Sequence, residues 1–458
     1  MVVKFFISIK KFFLRDLTPQ RIFVLSFLFI IILGNILLWM PFSAAKKQLT
    51  FVDALFTSVS AVCVTGLTVI DIGVDLSLAG QIITMVLFQC GGLGIITFSA
   101  FFFHLMRIGT SFKGREIVQS SFLPSPRRDF QIILKYVFVS TLAVESIGAI
   151  SLIPAFSRDL PIDKAVYYSI YHAISAFCNC GYSLFSDNLV RYQGDIIVNI
   201  TLMALIVIGG IGFAVQLEVL SFFKRPKKRL SLHTKIVLIT TAILIVAGAA
   251  LFLFFENNFT IKDAPLHTKI LVSFFQSVTA RTAGFNTVDI GNLTNDALLV
   301  LMILMFIGAS PGSAGGGIKT TSFSVLFLML WSRLRGHEEV NVMNRTIPHE
   351  LINRTISIIF ASIFSVAIIT SILLFAGETG QPLRERHLFV EYLFDTISAF
   401  ATVGLSMGVT PHLNSTQKIF LSIMMFAGRV GPLTLAFSLS RKSKKTVIHY
   451  AEENIMIG

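Results

Sequence analysis

The chain predicts an all-α membrane protein of four helix, re-entrant pore loop, helix repeats: eight transmembrane helices around one pseudo-fourfold axis. Three observations predict it. The first is composition: of 458 residues, 54% are hydrophobic and only 14% charged, with 44 Phe, where a soluble domain carries roughly 25% charged residues. A mean hydropathy of +0.77 excludes a soluble enzyme, a disordered chain and a fibrous protein. The second is the placement of basic residues in five bursts, Lys4 to Arg21, Arg107 to Lys135, Lys224 to Lys235, Arg333 to Arg345 and Arg441 to Lys445. Basic residues collect in cytoplasmic loops, so an even number of spans separates each burst from the next. The third is an internal repeat, in which a segment rich in Thr, Ser, Gly and Asp recurs between two apolar runs.

Taken in order, residues 1–21 are basic and amphipathic without a small-residue cleavage pattern, and read as a cytosolic, interfacial start. Repeat 1 (22–106) holds apolar runs 22–42 and 78–103, each near the ~20 residues a spanning helix needs. Repeat 2 (135–223) holds runs 135–155 and 194–222, repeat 3 (236–335) runs 236–255 and 296–331, and repeat 4 (355–440) runs 355–376 and 415–440. Residues 441–458 form a cytosolic tail, which places both termini inside. The net charge of +13 then reports topology and not a nucleic-acid partner. Cys63, Cys90, Cys178 and Cys180 have no CxxC pattern, so no disulfide framework or zinc site follows.

The four intervening segments align on Gly66, Gly181, Gly284 and Gly404. Ten positions before each glycine stands an aromatic residue, Phe56, Tyr171, Phe274 and Phe394; six before it stands Ser60, Ser175 or Ser398, with Val278 in the third copy. A large apolar residue, Leu67, Tyr182, Phe285 or Leu405, follows directly. Turn chemistry alone explains a glycine but not an aromatic residue at a fixed distance. Non-helical backbone at membrane depth is tolerated where it is buried in protein or lines a watery cavity. Four such turns line one cavity, and rings of backbone carbonyls replace the water shell of a cation. The turns read Cys63-Val64-Thr65-Gly66, Cys178-Asn179-Cys180-Gly181, Arg281-Thr282-Ala283-Gly284 and Ala401-Thr402-Val403-Gly404. Glycine opens backbone conformations closed to residues with a Cβ.

At these residues the chain resembles the superfamily of potassium transporters that includes the TrkH, KtrB and plant HKT proteins. The resemblance runs from about Arg21 to Gly458. TrkH-type members carry an extra helix pair before the first repeat; here the first span leads straight into Phe51–Gly73, so the KtrB branch is the more similar. Some HKT members replace the first glycine with serine and favour sodium, whereas this chain keeps Gly66. The resemblance implies potassium uptake across the plasma membrane of a prokaryote. It also implies a homodimer with one pore per protomer among membrane lipids and a cytosolic, KtrA-like ring of nucleotide-binding regulatory subunits. Potassium is then the bound ion, with sodium a candidate coupling or activating ion. The alternatives carried forward are a sodium-permeable or TrkH-like transporter, and a membrane-embedded serine hydrolase.

Two features exceed the repeat. The sixth run is interrupted at 308–322 by Gly308, Pro311, Gly312, Gly315, Gly316 and Gly317, ahead of Lys319, a composition that cannot propagate a stable helix. It reads as a mobile plug, a gating loop, with Gly308 at the same distance from its turn glycine as Gly428. Gly308-Ala309-Ser310-Pro311-Gly312 matches the G-x-S-x-G elbow of hydrolases, but Pro311 lacks the N–H that an oxyanion needs; His172 is the one histidine placed to approach Ser310. Gly312 to Thr320 approximates a phosphate loop, spoiled by Ile318. Arg429 lies twelve residues before Arg441, ~18 Å along a helix and beyond snorkelling reach. In the family such an arginine lines the pore beside the loop, which implies a cation barrier and a latch to loop carbonyls. Arg281 reads as packed behind its turn and paired with an acid, for which Glu145 is the candidate.

Overall fold

Cap residues and glycines divide the chain into four similar units in the computed structural model, which describes residues 19–94, 130–224, 229–377 and 387–439. The first unit contains α1 (Pro19–Trp39), α2 (Phe51–Val62), the single turn α3 (Ile72–Asp75) and α4 (Leu78–Leu93). The second contains α5 (Phe130–Phe156), α6 (Ile162–Phe177), α7 (Ile196–Gly210) and α8 (Phe213–Lys224). The third has α9 (Leu232–Glu256), α10 (Leu266–Thr279), α11 (Asn295–Phe306) and α12 (Thr320–Leu334). A two-stranded hairpin, β1 (Asn341–Val342) with β2 (Arg345–Thr346), leads to the fourth: α13 (His349–Ala376), α14 (His387–Ala401), α15 (Ser415–Val430) and α16 (Pro432–Leu439).

The helix after each turn starts at a capping side chain. Ser77, Asp195, Thr294 and Asn414 accept the backbone N–H of Gly80, Val198, Ala297 and Gln417, satisfying donors a helix start leaves free. The short helices α2, α6, α10 and α14 bury Phe56, Tyr171, Phe275 and Phe394 completely. Each of α4, α7, α11 and α15 packs on the short helix of the next unit, α15 returning to α2, so the ring of units closes. Lys418 pairs with Asp53 at 2.7 Å across that closure, and Tyr171 Oη lies 3.0 Å from Thr84 Oγ1 across the first junction.

Among the described residues three helices are long and apolar enough to cross a membrane, Lys135–Phe156, Leu232–Glu256 and His349–Ala376. The pair α7 and α8, bent by 103° at its break, is long and apolar enough only when taken together. The second helix of every unit breaks: α4 ends where Gly94 takes φ +81°, α7 turns at Gly212 with φ +92°, α15 ends at Gly431 with φ +91°, and residues 307–319 separate α11 from α12. Left-handed backbone at a single glycine ends a helix, so the breaks are short in the first, second and fourth units and longest at 307–319 in the third. Residues 1–18 of the N-terminal segment, 95–106 of repeat 1, most of the Arg107–Lys135 burst and the 441–458 tail lie outside the described residues.

Candidate pore site

The four turns share one backbone conformation. Two residues before each glycine, Val64, Asn179, Thr282 and Thr402 have φ of +56°, +58°, +83° and +52°; the glycines themselves have +88°, +80°, +81° and +96°. The turns interlock in cyclic order. A Cβ placed on Gly66 would lie 1.9 Å from the carbonyl oxygen of Cys180, one on Gly181 2.3 Å from that of Ala283, one on Gly284 2.3 Å from that of Val403, and one on Gly404 2.2 Å from that of Thr65. Each glycine therefore abuts the carbonyl before the next unit's glycine, and the fourth returns to the first. On one side the glycines open into a cavity of about 450 Å³, also lined by Asp71, Asp75, Asn188 and Asn286. Leu67, Tyr182, Phe285 and Leu405 anchor the turns in the core. Cys63, Cys178 and Cys180 are fully buried, and Cys178 Sγ donates to Gln89 Oε1 at 3.0 Å.

Hydroxyls on the short helices hold the turns from behind. Ser60 and Ser175 donate to the carbonyls of Leu67 and Tyr182 at 2.8 and 2.9 Å, and Ser398 accepts the N–H of Gly404 at 3.0 Å. In the third unit Thr279, not Val278, takes the part and donates to Phe285 O at 2.6 Å. The aromatic anchor there is likewise Phe275, fully buried, while Phe274 is 36% exposed. Both features sit one residue nearer the glycine than in the other copies. The third copy thus lacks one residue between helix and turn, and an alignment without gaps assigns its anchor and hydroxyl to the wrong positions.

The break at 307–319 folds back beneath the opposite side of the ring. Its backbone is pinned to the second unit: Ser310 N–H donates to Gly210 O at 3.0 Å, Ala314 N–H to Gly209 O at 3.2 Å, and Phe213 N–H to Gly312 O at 3.1 Å. Gly316 N–H donates to Thr402 Oγ1 at 3.0 Å, and a Cβ on Gly315 would come within 2.2 Å of Thr282 Oγ1. Glycine is needed at both places because the loop lies flat against threonines of the ring. Lys319 Nζ donates to Gly315 O at 2.7 Å. Arg429 spreads its fork over two carbonyls, Nη1 donating to Ala314 O in the loop and Nη2 to Gly91 O on α4. Gly308 and Gly428 do not share a role despite their matching offsets. A Cβ on Gly428 would meet Phe400 O at 1.8 Å, as on Gly91 and Gly209 it would meet Val62 O and Phe177 O, whereas one on Gly308 would meet Gly316 O of its own loop at 2.3 Å.

One expectation and one alternative are overturned. Arg281 is buried behind its turn but does not reach Glu145. Its guanidinium lies against Thr241, Nη1 3.5 Å from the carbonyl and Nη2 3.4 Å from Oγ1, while Glu145 accepts from Gln89 Nε2 at 3.2 Å. The closed-up third turn aims Arg281 toward α9, away from α5. A serine hydrolase is excluded by geometry: Ser310 Oγ pairs with Thr320 Oγ1 at 3.0 Å, and His172 is held by Tyr168 O at 2.7 Å and Ser183 Oγ at 3.0 Å.

Four similar units whose glycine turns meet in cyclic order, with a cavity on one side and a pinned loop on the other, define a helical membrane protein. Residues 11–447 match the TrkH family model, described as cation transport protein, and the chain belongs to that family, one of transporters and not of enzymes. It is 37% identical over 441 residues to Ktr system potassium uptake protein B of Vibrio alginolyticus, covering 96% of this chain and 94% of that one. It is 34% identical over 454 residues to potassium/sodium uptake protein NtpJ of Enterococcus hirae, covering 98% and 99%. The crystal structure of the potassium transporter TrkH from Vibrio parahaemolyticus superposes with a TM-score of 0.67 at 18% identity, over 90% of this chain and 84% of that one, which shows a shared fold.

Proposed function

We propose that the chain takes up potassium through one pore per protomer, with the four glycine turns as its selectivity filter. The observation that carries this is the cyclic contact of Gly66, Gly181, Gly284 and Gly404 with the carbonyls of Cys180, Ala283, Val403 and Thr65. A continuous ring of backbone oxygens replaces the hydration shell of a monovalent cation, and potassium is its ligand. The loop 308–322 is the gate: it lies across the inner mouth of the filter, fastened by Arg429 and Lys319. The basic loops and both termini face the cytoplasm of a bacterial cell. The protomer pairs with a second copy in the plasma membrane and answers to a cytosolic nucleotide-binding ring; the Ktr-system name of the Vibrio alginolyticus relative supports a system with other subunits. Sodium is the alternative permeant or the coupling ion, a reading supported by the printed name of the Enterococcus relative.

Potassium and sodium fluxes of the purified protein in liposomes test this, with potassium expected to dominate. Equal or greater sodium flux would move the reading to a sodium-permeable transporter, and absence of both from folded protein would sink it. The gate has its own test. Deleting Gly315 and Gly316 removes the segment that rests on Thr282 and Thr402, so unregulated potassium flux should rise while the potassium-to-sodium ratio stays as in the parent. Abolished flux in protein that still inserts and pairs would refute the gate.

A further inference from the structure

Nine residues before the turn glycine the units carry unlike polar groups, Thr57, His172 and Asp395, and in the shortened third copy Gln276 one place on. In three units that group reaches past the turn and bonds the chain beyond it. His172 Nε2 lies 3.0 Å from Ser183 Oγ, Gln276 Nε2 donates to Thr287 Oγ1 at 3.3 Å, and Asp395 Oδ2 accepts from Ser406 Oγ at 2.9 Å. Each of these bonds closes a span of 11 residues that contains the whole turn. Asp395 is the most engaged of the three. Thr410 Oγ1 lies 2.5 Å from the same carboxyl oxygen, Met407 N–H points at the other from 3.4 Å, and the side chain is 1% exposed. No cationic side chain forms an ion pair with it among the described residues. An apolar residue would fill this place without desolvating a carboxyl group, so packing alone does not account for an acid here.

We infer that Asp395 is a positioning residue for ion preference: by clamping Ser406 and Thr410 to α14 it fixes how far the fourth turn leans into the ring, with His172 and Gln276 doing the same for theirs. This rests on reading the ring as the filter. The glycines and their neighbouring carbonyls fix the turns sideways, but nothing in that contact stops one turn from sliding outward. A clamp that spans the turn does. Potassium and sodium differ by a few tenths of an ångström in radius, so a turn free to relax by that amount lets the ring fit either ion.

The test is the potassium-to-sodium flux ratio of purified protein in liposomes, recorded with the thermal midpoint. Asp395→Ala and Ser406→Ala should each lower the ratio at least about threefold, and the double variant should lose no more than the worse single one, as for two residues in one bond. Asp395→Asn should fall between, since its amide keeps an acceptor for Met407 N–H but turns N–H groups toward the hydroxyls. An unchanged ratio in folded Ser406→Ala overturns the inference even if Asp395→Ala does not fold. So does a fully additive loss in the double variant, or a lower midpoint with a parental ratio, which would make Asp395 a packing residue. Gly66→Ser, run alongside, separates the two readings. If it shifts the ratio and the clamp variants do not, the filter stands and the clamp falls; if none shifts it, both fall.

Discussion

Gly66→Ser is expected to lower the preference for potassium over sodium by about tenfold, equivalent to about 1.4 kcal/mol, with total flux reduced. Two costs combine at this position. The backbone holds φ +88°, a conformation that costs a residue with a Cβ roughly 1–2 kcal/mol. The new Cβ would also lie 1.9 Å from the Cys180 carbonyl oxygen and 3.1 Å from its carbon, so relief requires moving backbone of the next unit. That backbone is the ring itself. Gly336→Ser separates the two costs, because Gly336 has φ +76° and nothing within 4 Å of the added Cβ. It should lose stability on the order of 1 kcal/mol from strain alone and keep the parental flux ratio. A folded Gly66→Ser protein with unchanged relative permeability would show that the ring does not discriminate ions.

The same contact shows why part of the site was legible in the sequence. Glycine at a left-handed, crowded position has no substitute, so Gly66, Gly181, Gly284 and Gly404 stand out at fixed distances from buried aromatics. The left-handed residues two before them are Val64, Asn179, Thr282 and Thr402, and of these only asparagine favours that conformation intrinsically. Their strain is sustained by the surrounding packing, which leaves no mark on residue type. The missing residue in the third turn was hidden for a related reason. Thr279 and Phe275 each have a neighbour of similar character, Val278 and Phe274, and one deletion keeps the glycine, the aromatic and the apolar anchor in nearly the expected order.

Elsewhere local composition misled about tertiary partners. The glycine runs 91–94 and 209–212 read as short breaks in apolar runs, and Gly94, Gly212 and Gly431 each adopt positive φ where a helix ends. The Gly-rich stretch at 308–322 was legible as a helix break because its propensity is poor throughout. Its docking on the Gly209 and Gly210 carbonyls was not, because backbone acceptors carry no residue signature. Arg281 shows the converse error: a buried cation invites the search for an acid, and the fold supplies the carbonyl and hydroxyl of Thr241 instead.

Arg429 offers the second large effect, since under the proposed gate its charge and its shape act on different parts of the path. The guanidinium joins Ala314 O in the loop to Gly91 O on α4, and no carboxylate pairs with it among the described residues. A hydrogen bond from a charged group is worth about 1.5–3 kcal/mol, so losing the Ala314 bond should shift the loop from closed toward open on the order of ten- to a hundredfold. Arg429→Ala and Arg429→Gln should therefore both raise potassium flux, glutamine less if its amide keeps one carbonyl. Arg429→Lys retains a positive charge facing the path but lacks the planar fork that reaches two carbonyls at once, so it should keep part of the barrier and fasten the loop poorly. Lys319, which holds Gly315 O from within the loop, remains in every variant; it limits how far the loop can leave and predicts that Arg429→Ala with Lys319→Ala exceeds either single change. A charge at mid-membrane costs at least ~2.5 kcal/mol on insertion scales, so an arginine without a function there is better removed. Arg429→Leu decides the matter. Higher thermal stability with parental transport would return Arg429 to a structural role, whereas raised flux at any stability assigns it to the gate.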